Sequence, residues 1–272
     1  MARTVSARAR PVDLVVSLHP EPDAILKLED RTVVWREGEV GGTGKVVKLY
    51  RRRGGITALR SRVFRFRTER EFRRLQHLAR WGIPCTPPQG WAAGWTPEHG
   101  HHEILVMEEV EGAVELGLHL AEGGAMDLAP LFQMVRRMHE SGFCHQTLYA
   151  ANVLVSNQGR PGGGDFVMCD VPRSWTFPRS ILGTSMARYD LLDLAASLVE
   201  VGVPPTELSL EAYDLREGKR ALDLLLAGKD PRGKRERALR DLAARARWAG
   251  AWLAVWKGRE RPGTGTLDGR GS

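Results

Sequence analysis

The hydrophobic period of the chain changes near residue 110, and that change limits the fold more than any other feature. Before it, short runs of strand-like composition alternate with turn residues; after it, apolar residues recur at helical spacing. AILKLED (24–30), TVVWREG (32–38) and KVVKLYR (45–51) predict three short strands, with the glycine-rich GEVGGTG turning between the second and third. TEREFRRLQHLARWGIP (68–84) predicts a helix in which Phe72, Leu75 and Leu78 or Ala79 share a face. Thr68 and Glu71 there fit a capping box, and Gly82 with Pro84 stops the helix. GWAAGW (90–95) and EILVMEEV (103–110) predict two further strands joined by a loop, WTPEHGHH. Five strands and one helix make a small first lobe.

Beyond residue 110, DLAPLFQMVRRMHESG (127–142) places Leu131, Met134, Val135 and Met138 on one helical face and ends at Gly142. The segment HQTLYAANVLV (145–155) follows directly. NVLVSNQGRPGGGDFVMCD (152–170) predicts a hairpin whose second strand delivers Asp170 close to Asn152. Three more helices are expected over 188–202, 208–228 and 235–258, and the glycine-rich tail after them reads as disordered. With 272 residues, 42% of them apolar, the chain can bury a real core as one large domain or two lobes. The expected divisions are an extension over 1–24, a first lobe over 25–108, a second over 109–258 and the tail over 259–272. No apolar run reaches a membrane span and the N-terminus has no signal-peptide pattern, so a cytoplasmic protein is expected.

Three cysteines, Cys85, Cys144 and Cys169, stand far apart without CxxC spacing, which suggests neither a disulfide framework nor a zinc site; they read as small buried residues. His99, His101 and His102 lack an acidic or Cys ligand at metal spacing and read as a solvated loop. GEVGGTGK is no P-loop, since Glu39 replaces the first glycine and Val46 follows the lysine. The net charge of +7 is concentrated: Arg51 to Arg74 carries ten arginines against two glutamates. Such a stretch attracts polyanions, or is a solvated arginine-rich surface; nucleic acid is disfavoured because no RNA-binding module accompanies it.

Taken in order, VVKLYRRR, REFRRLQHLARWGIPCTPP, EILVMEEVEGA, CHQTLYAANVLV and FVMCDVPRSW resemble the bacterial lipopolysaccharide kinases, the Kdo and core-heptose kinases of the protein-kinase-like superfamily. The resemblance covers roughly residues 25 to 200 and implies an α+β, two-lobed fold: a small β-rich lobe with one main helix and a larger helical lobe. It implies ATP and Mg2+ as cofactors and an anionic glycolipid as substrate. Lys48 takes the role of contacting nucleotide phosphates, oriented by an ion pair to Glu71, for which Glu69 is the alternative partner. Asn152 and Asp170 become magnesium ligands. Met107, Glu108, Glu109 and Val110 form the linker that offers backbone groups to adenine, and the turn covering the phosphates falls near Glu29, Asp30, Arg31 and Thr32, where no glycine occurs. His145 reads as a structural residue of the loop.

One position departs from the family. Thr147 stands where the family loop carries the aspartate that accepts the acceptor's proton, and a threonine hydroxyl accepts no proton near neutral pH. Two functions follow: a sugar kinase that manages without that base, or a pseudokinase acting as a nucleotide-binding scaffold. The C-terminal stripe of Trp248, Trp252 and Trp256, flanked by basic residues, has two readings. It packs in the core, the simpler reading, or with the Arg51–Arg74 stretch it rests on the inner face of the membrane.

Overall fold

A computed structural model describes residue 18 and residues 20–38, 44–51, 66–156 and 165–227. The chain divides into two compact units, Met1–Gly228 and Lys229–Ser272, and every described residue lies in the first. The helix expected over 235–258, its tryptophans, the tail and most of the basic stretch fall outside the described residues.

Strands β1 (Ile25–Leu28), β2 (Thr32–Glu37), β3 (Lys45–Arg51), β4 (Pro88–Thr96) and β5 (Gly100–Glu108) form one antiparallel sheet in the order β1-β2-β3-β5-β4. Alternation along β3 divides its side chains between the two faces. Val47 and Leu49 join Val33, Trp35, Ile104 and Val106 in one apolar cluster, whereas Lys48 and Tyr50 face the opposite way. On that second side, helix α1 (Arg67–Arg80) buries Leu75 and Leu78 in a cluster that includes Leu105 and Met107. Each such leucine contributes about 2 kcal/mol of burial. Gly82, at φ +64°, makes the left-handed turn that ends this helix.

Two local expectations fail here for reasons of packing. The capping box does not form: Phe66 is the N-cap and offers no side-chain acceptor. The amide and hydroxyl of Thr68 instead donate to Glu103 Oε2, at 2.9 and 3.1 Å, so a buried carboxylate on β5 caps the helix from across the sheet. Glu71 is thereby left for other partners. The expected loop WTPEHGHH is also mostly strand, because β4 runs to Thr96 and β5 starts at Gly100. Consecutive strand residues point to opposite faces, so His101 is exposed while His102 is buried and donates through Nδ1 to Gly100 O at 2.9 Å. Burial holds His102 below the usual histidine range. Among the described residues no group of His, Cys, Asp and Glu could hold a metal ion by itself.

The helical part is built around α3 (Ala129–Glu140) and α4 (Ser185–Glu200), with a short strand β6 (Ala113–Glu115) and a short helix α2 (Leu116–Ala121) leading into it. Phe143–Cys144 forms β7. Val153–Ser156 is β8 and Asp165–Met168 is β9, which pair antiparallel beside β6, and Trp175–Thr176 is β10, paired with β7. Helix α4 buries residues on every side, among them Leu191, Leu192, Leu194, Ala195 and Leu198, so it runs through the core rather than over it. The single helix expected over 208–228 is interrupted. Two short 3-10 turns precede α5 (Leu215–Leu226), whose N-terminus is capped by Asp214 accepting from the amides of Arg216 and Glu217. Asp–x–x–Glu marks that start in the sequence, and the cap outweighs the apolar residues before it.

Candidate active site

Lys48 and Tyr50 sit two residues apart on β3 and so share its inner face. Opposite them Glu71, fully buried on α1, has a separate donor for each oxygen: Lys48 Nζ at 3.0 Å from Oε1 and Tyr50 Oη at 2.8 Å from Oε2. Glu69, the alternative partner, pairs instead with Arg73 one turn along the helix. Lys48 also contacts Asp170, which brings together residues 122 positions apart in sequence. Burial would lower the Lys48 pKa, but Glu71, Tyr50 and Asp170 outweigh it and hold the ammonium well above its ordinary value. Burial would likewise raise Asp170, yet Lys48 holds that carboxyl below the usual range. Tyr50, missed from the sequence, is pushed up strongly by burial and by Glu71, so it stays a hydrogen-bond donor; the Arg67 guanidinium lies 4.0 Å from its ring centroid.

Asp170 occupies the left-handed region, at φ +53°. A non-glycine residue held there stores strain, and such strain collects at functional sites. Two features hold it in place. The β8–β9 hairpin pairs Val153 with Met168, and Cys169 N donates to Asn152 O at 3.0 Å, which fixes Asn152 beside the residue preceding Asp170. Arg74, one turn beyond Glu71 on α1, donates to the carbonyls of Val171 and Pro172. The same helix therefore grips Lys48 through Glu71 and the Asp170 turn through Arg74.

The loop 145–152 is held from beneath. Asp190, fully buried on α4, accepts from the amide of His145 at 2.6 Å and of Gln146 at 2.7 Å, and from His139 Nε2 at 3.3 Å. His139 Nδ1 in turn accepts from Tyr213 Oη at 2.7 Å. These bonds impose φ +66° on Gln146. Sequence reasoning passed over Asp190, although an acidic residue in the apolar run DLLDLAASL was a visible signal: a buried carboxylate needs donors. His145 is fully buried, its Nε2 donates to Cys169 O at 3.3 Å, and burial lowers its pKa despite Asp190 and Asp170 nearby. Burial also pushes the Cys169 thiol up to about 12, so it is no nucleophile. Cys85 and Cys144 are buried.

Thr147 and Asn152 meet inside this loop. Asn152 Nδ2 donates to the Thr147 carbonyl at 2.7 Å, and since a carbonyl only accepts, the amide orientation is fixed and Oδ1 remains as its acceptor. One amide oxygen and one partly exposed carboxylate, both hard donors, fit Mg2+ of the kind that completes its shell with water and phosphate. The hydroxyl of Thr147 lies 3.5 Å from His145 Nδ1, and no acidic side chain stands at this position. At the linker, the amides of Glu108 and Glu109 already donate to the carbonyls of Pro87 and Gly44, at 2.8 Å each, and the Glu109 carboxylate pairs with Arg36 at 2.6 Å. Those two amides are spoken for within the protein itself.

Residues 20–205 match the family model described as the lipopolysaccharide kinase (Kdo/WaaP) family. Two 3-deoxy-D-manno-octulosonic acid kinases from strains of Xylella fastidiosa are each 30% identical over 125 residues, 42% of this chain and 49% of theirs. The chain thus spans about half the length of these curated relatives. A solved structure described as WaaP in complex with acyl carrier protein superposes with a TM-score of 0.54 at 20% identity, covering 78% of this chain and 87% of that one. That likeness shows the α+β kinase-like fold expected from the sequence.

Proposed function

Because the chain belongs to the lipopolysaccharide kinase (Kdo/WaaP) family, we propose that it binds ATP with magnesium and phosphorylates a sugar hydroxyl of a lipopolysaccharide-like glycolipid. The observation that carries this reading is the meeting of Lys48, Glu71 and Asp170, drawn from β3, α1 and the end of the β8–β9 hairpin. Nothing in core packing requires a buried lysine between two carboxylates, whereas a loose phosphoryl-transfer transition state requires a fixed cation at the phosphate oxygens. Glu71 and Tyr50 hold the Lys48 ammonium in place, so it needs little reorganisation when phosphate arrives. Asn152 and Asp170 would hold magnesium, which when bound offsets the charge of the phosphates. Adenine would lie along the linker Met107–Val110, with the Glu108 and Glu109 amides already engaged. On this reading the lobes divide between residues 108 and 109.

Thr147 sets the rate. General-base assistance is worth about 10² to 10⁴, and the hydroxyl at this position supplies none of it. Positioning and electrostatics carry most of phosphoryl transfer, so a slow kinase remains chemically coherent. The same threonine supports a second reading, a pseudokinase that binds nucleotide and acts as scaffold. The glycolipid substrate favours a cytoplasmic protein resting on the inner membrane face through the Arg51–Arg74 stretch and the Trp248, Trp252 and Trp256 stripe; none of the described helices is long and apolar enough to cross a membrane.

The test is Thr147→Asp, assayed with ATP, magnesium and a lipopolysaccharide-like glycolipid carrying 3-deoxy-D-manno-octulosonic acid, with phosphosugar read by mass spectrometry. A gain of roughly 10² or more over a measurable wild-type rate is expected of a kinase lacking its base. No phosphosugar from either form, with nucleotide still bound, would sink the kinase and leave the scaffold.

A further inference from the structure

The turn between β1 and β2 lies where a nucleotide's phosphates would need cover, yet it is poorly made for anions. Glu29 N donates to Thr32 O at 2.9 Å and Thr32 N to Glu29 O at 3.3 Å, which closes the turn on itself and engages both amides. It contains no glycine, and two of its four residues, Glu29 and Asp30, are acidic. Phosphate-binding turns work in the opposite way, by presenting a row of backbone N–H groups to the anion.

Strand register supplies a different cation. Lys27 on β1 is paired with Val34 on β2, and Val34 with Lys48 on β3. Residues directly opposite in an antiparallel sheet project from the same face, so Lys27 and Lys48 lie in one row, two strands or roughly 10 Å apart, on the side where Asp170 sits. The register shifts between Ile25 and Lys27, an irregularity of the kind that re-aims a side chain. The partner of Lys27 is Glu29, at 3.0 Å with both side chains about half exposed. Such a pair is worth little and can be given up to a stronger anion.

We infer that Lys27 is a second phosphate-binding cation of the cleft, doing with a side-chain charge what the glycine-free β1–β2 turn does not do with its backbone. This rests on the nucleotide-binding reading above. A polyphosphate passing along the inner face of the sheet would be held by Lys48 at one end of the row and by Lys27 at the other. The contact is specific to phosphate charge and indifferent to the base.

Calorimetric titration of the full chain with ATP, ADP, adenosine and magnesium tripolyphosphate tests it in wild type, Lys27→Ala, Lys27→Arg and Lys45→Ala. Lys45 is an exposed lysine three residues before Lys48, on the other face of the same strand. Lys27→Ala should weaken ATP and tripolyphosphate roughly five- to tenfold, ADP less and adenosine not at all. Lys27→Arg should restore most of the loss, Lys45→Ala should bind as wild type does, and the salt dependence of ATP binding should flatten in Lys27→Ala alone. Equal ATP affinity in wild type and Lys27→Ala overturns the role of Lys27 and leaves the nucleotide site standing. An equal loss for adenosine also overturns it, since that would be damage to the sheet. A wild-type protein that binds neither ATP nor tripolyphosphate removes both the site and Lys27's part in it.

Discussion

The cluster around Lys48 and the loop around Thr147 are joined through the Cys169–Asp170 turn but are completed to different degrees. In the cluster, each oxygen of Glu71 has its own donor and Lys48 has two carboxylates. In the loop, the frame is equally well made, with Asp190 taking three donors and Asn152 anchored on Thr147 O, while the one side chain that would meet the acceptor hydroxyl has no basic group. The difference separates two features of one fold: a fixed cation beside two carboxylates, and a position, 147, with no group able to accept a proton. The bonds that frame the loop go to the amides of His145 and Gln146 and the carbonyl of Thr147, and none of them uses the Thr147 side chain.

Substitutions on either side should separate the cluster from the loop. The largest effect is expected from Asp190→Ala, which strands the amides of His145 and Gln146 and the ring of His139 and costs about 4 kcal/mol, read as a fall in denaturant midpoint. Asp190→Asn retains the acceptor for one amide and should recover part of this. If Asp190→Ala leaves stability untouched, the loop is not held from α4. Glu71→Ala comes next, at about 3 kcal/mol, since it removes the partner of a buried lysine. Its signature is a loss of nucleotide affinity with the loop's own amide protection in hydrogen exchange unchanged; loss of both together would show that cluster and loop form one unit.

The smallest effect is a pH dependence. Asp170 titrates below the usual carboxylate range in the folded protein, so its contribution to stability is fully present above its unfolded value of about 3.9 and is lost as pH falls through the lower folded value. The difference in unfolding free energy between wild type and Asp170→Asn should therefore be flat from neutral pH down to about 4 and shrink below it. A difference that keeps growing as pH falls would contradict the Lys48–Asp170 contact.

Much of this was legible in the sequence because local pattern and tertiary need agree there. The resemblance pointed to Lys48 and Glu71, and the hairpin read over 152–170 brought Asn152 close to Asp170; alternation along KVVKLYR places Lys48 on the inner face, and Glu71 shares the helical face of Leu75 and Leu78. What was missed depends on contacts between distant segments. Glu103 caps α1 from 35 residues away, which frees Glu71 from the capping box that the local spacing suggested. Tyr50 and Asp190 drew no expectation, because the Tyr50 hydroxyl meets Glu71 from another element and Asp190 lies on a helix buried on all sides. The break at 208–214 follows from the cap at Asp214, which outweighs the apolar periodicity running across it.

Lys48, Asn152 and Asp170 are proposed to form a magnesium-dependent nucleotide site. Calorimetric titration of wild type and Asp170→Ala with ATP, each with and without magnesium, tests it most directly. Wild type should bind ATP more tightly with magnesium than without, and Asp170→Ala should bind it weakly with no effect of magnesium. Wild-type protein that binds no ATP, or an Asp170→Ala variant with the full magnesium effect, would contradict the proposed site.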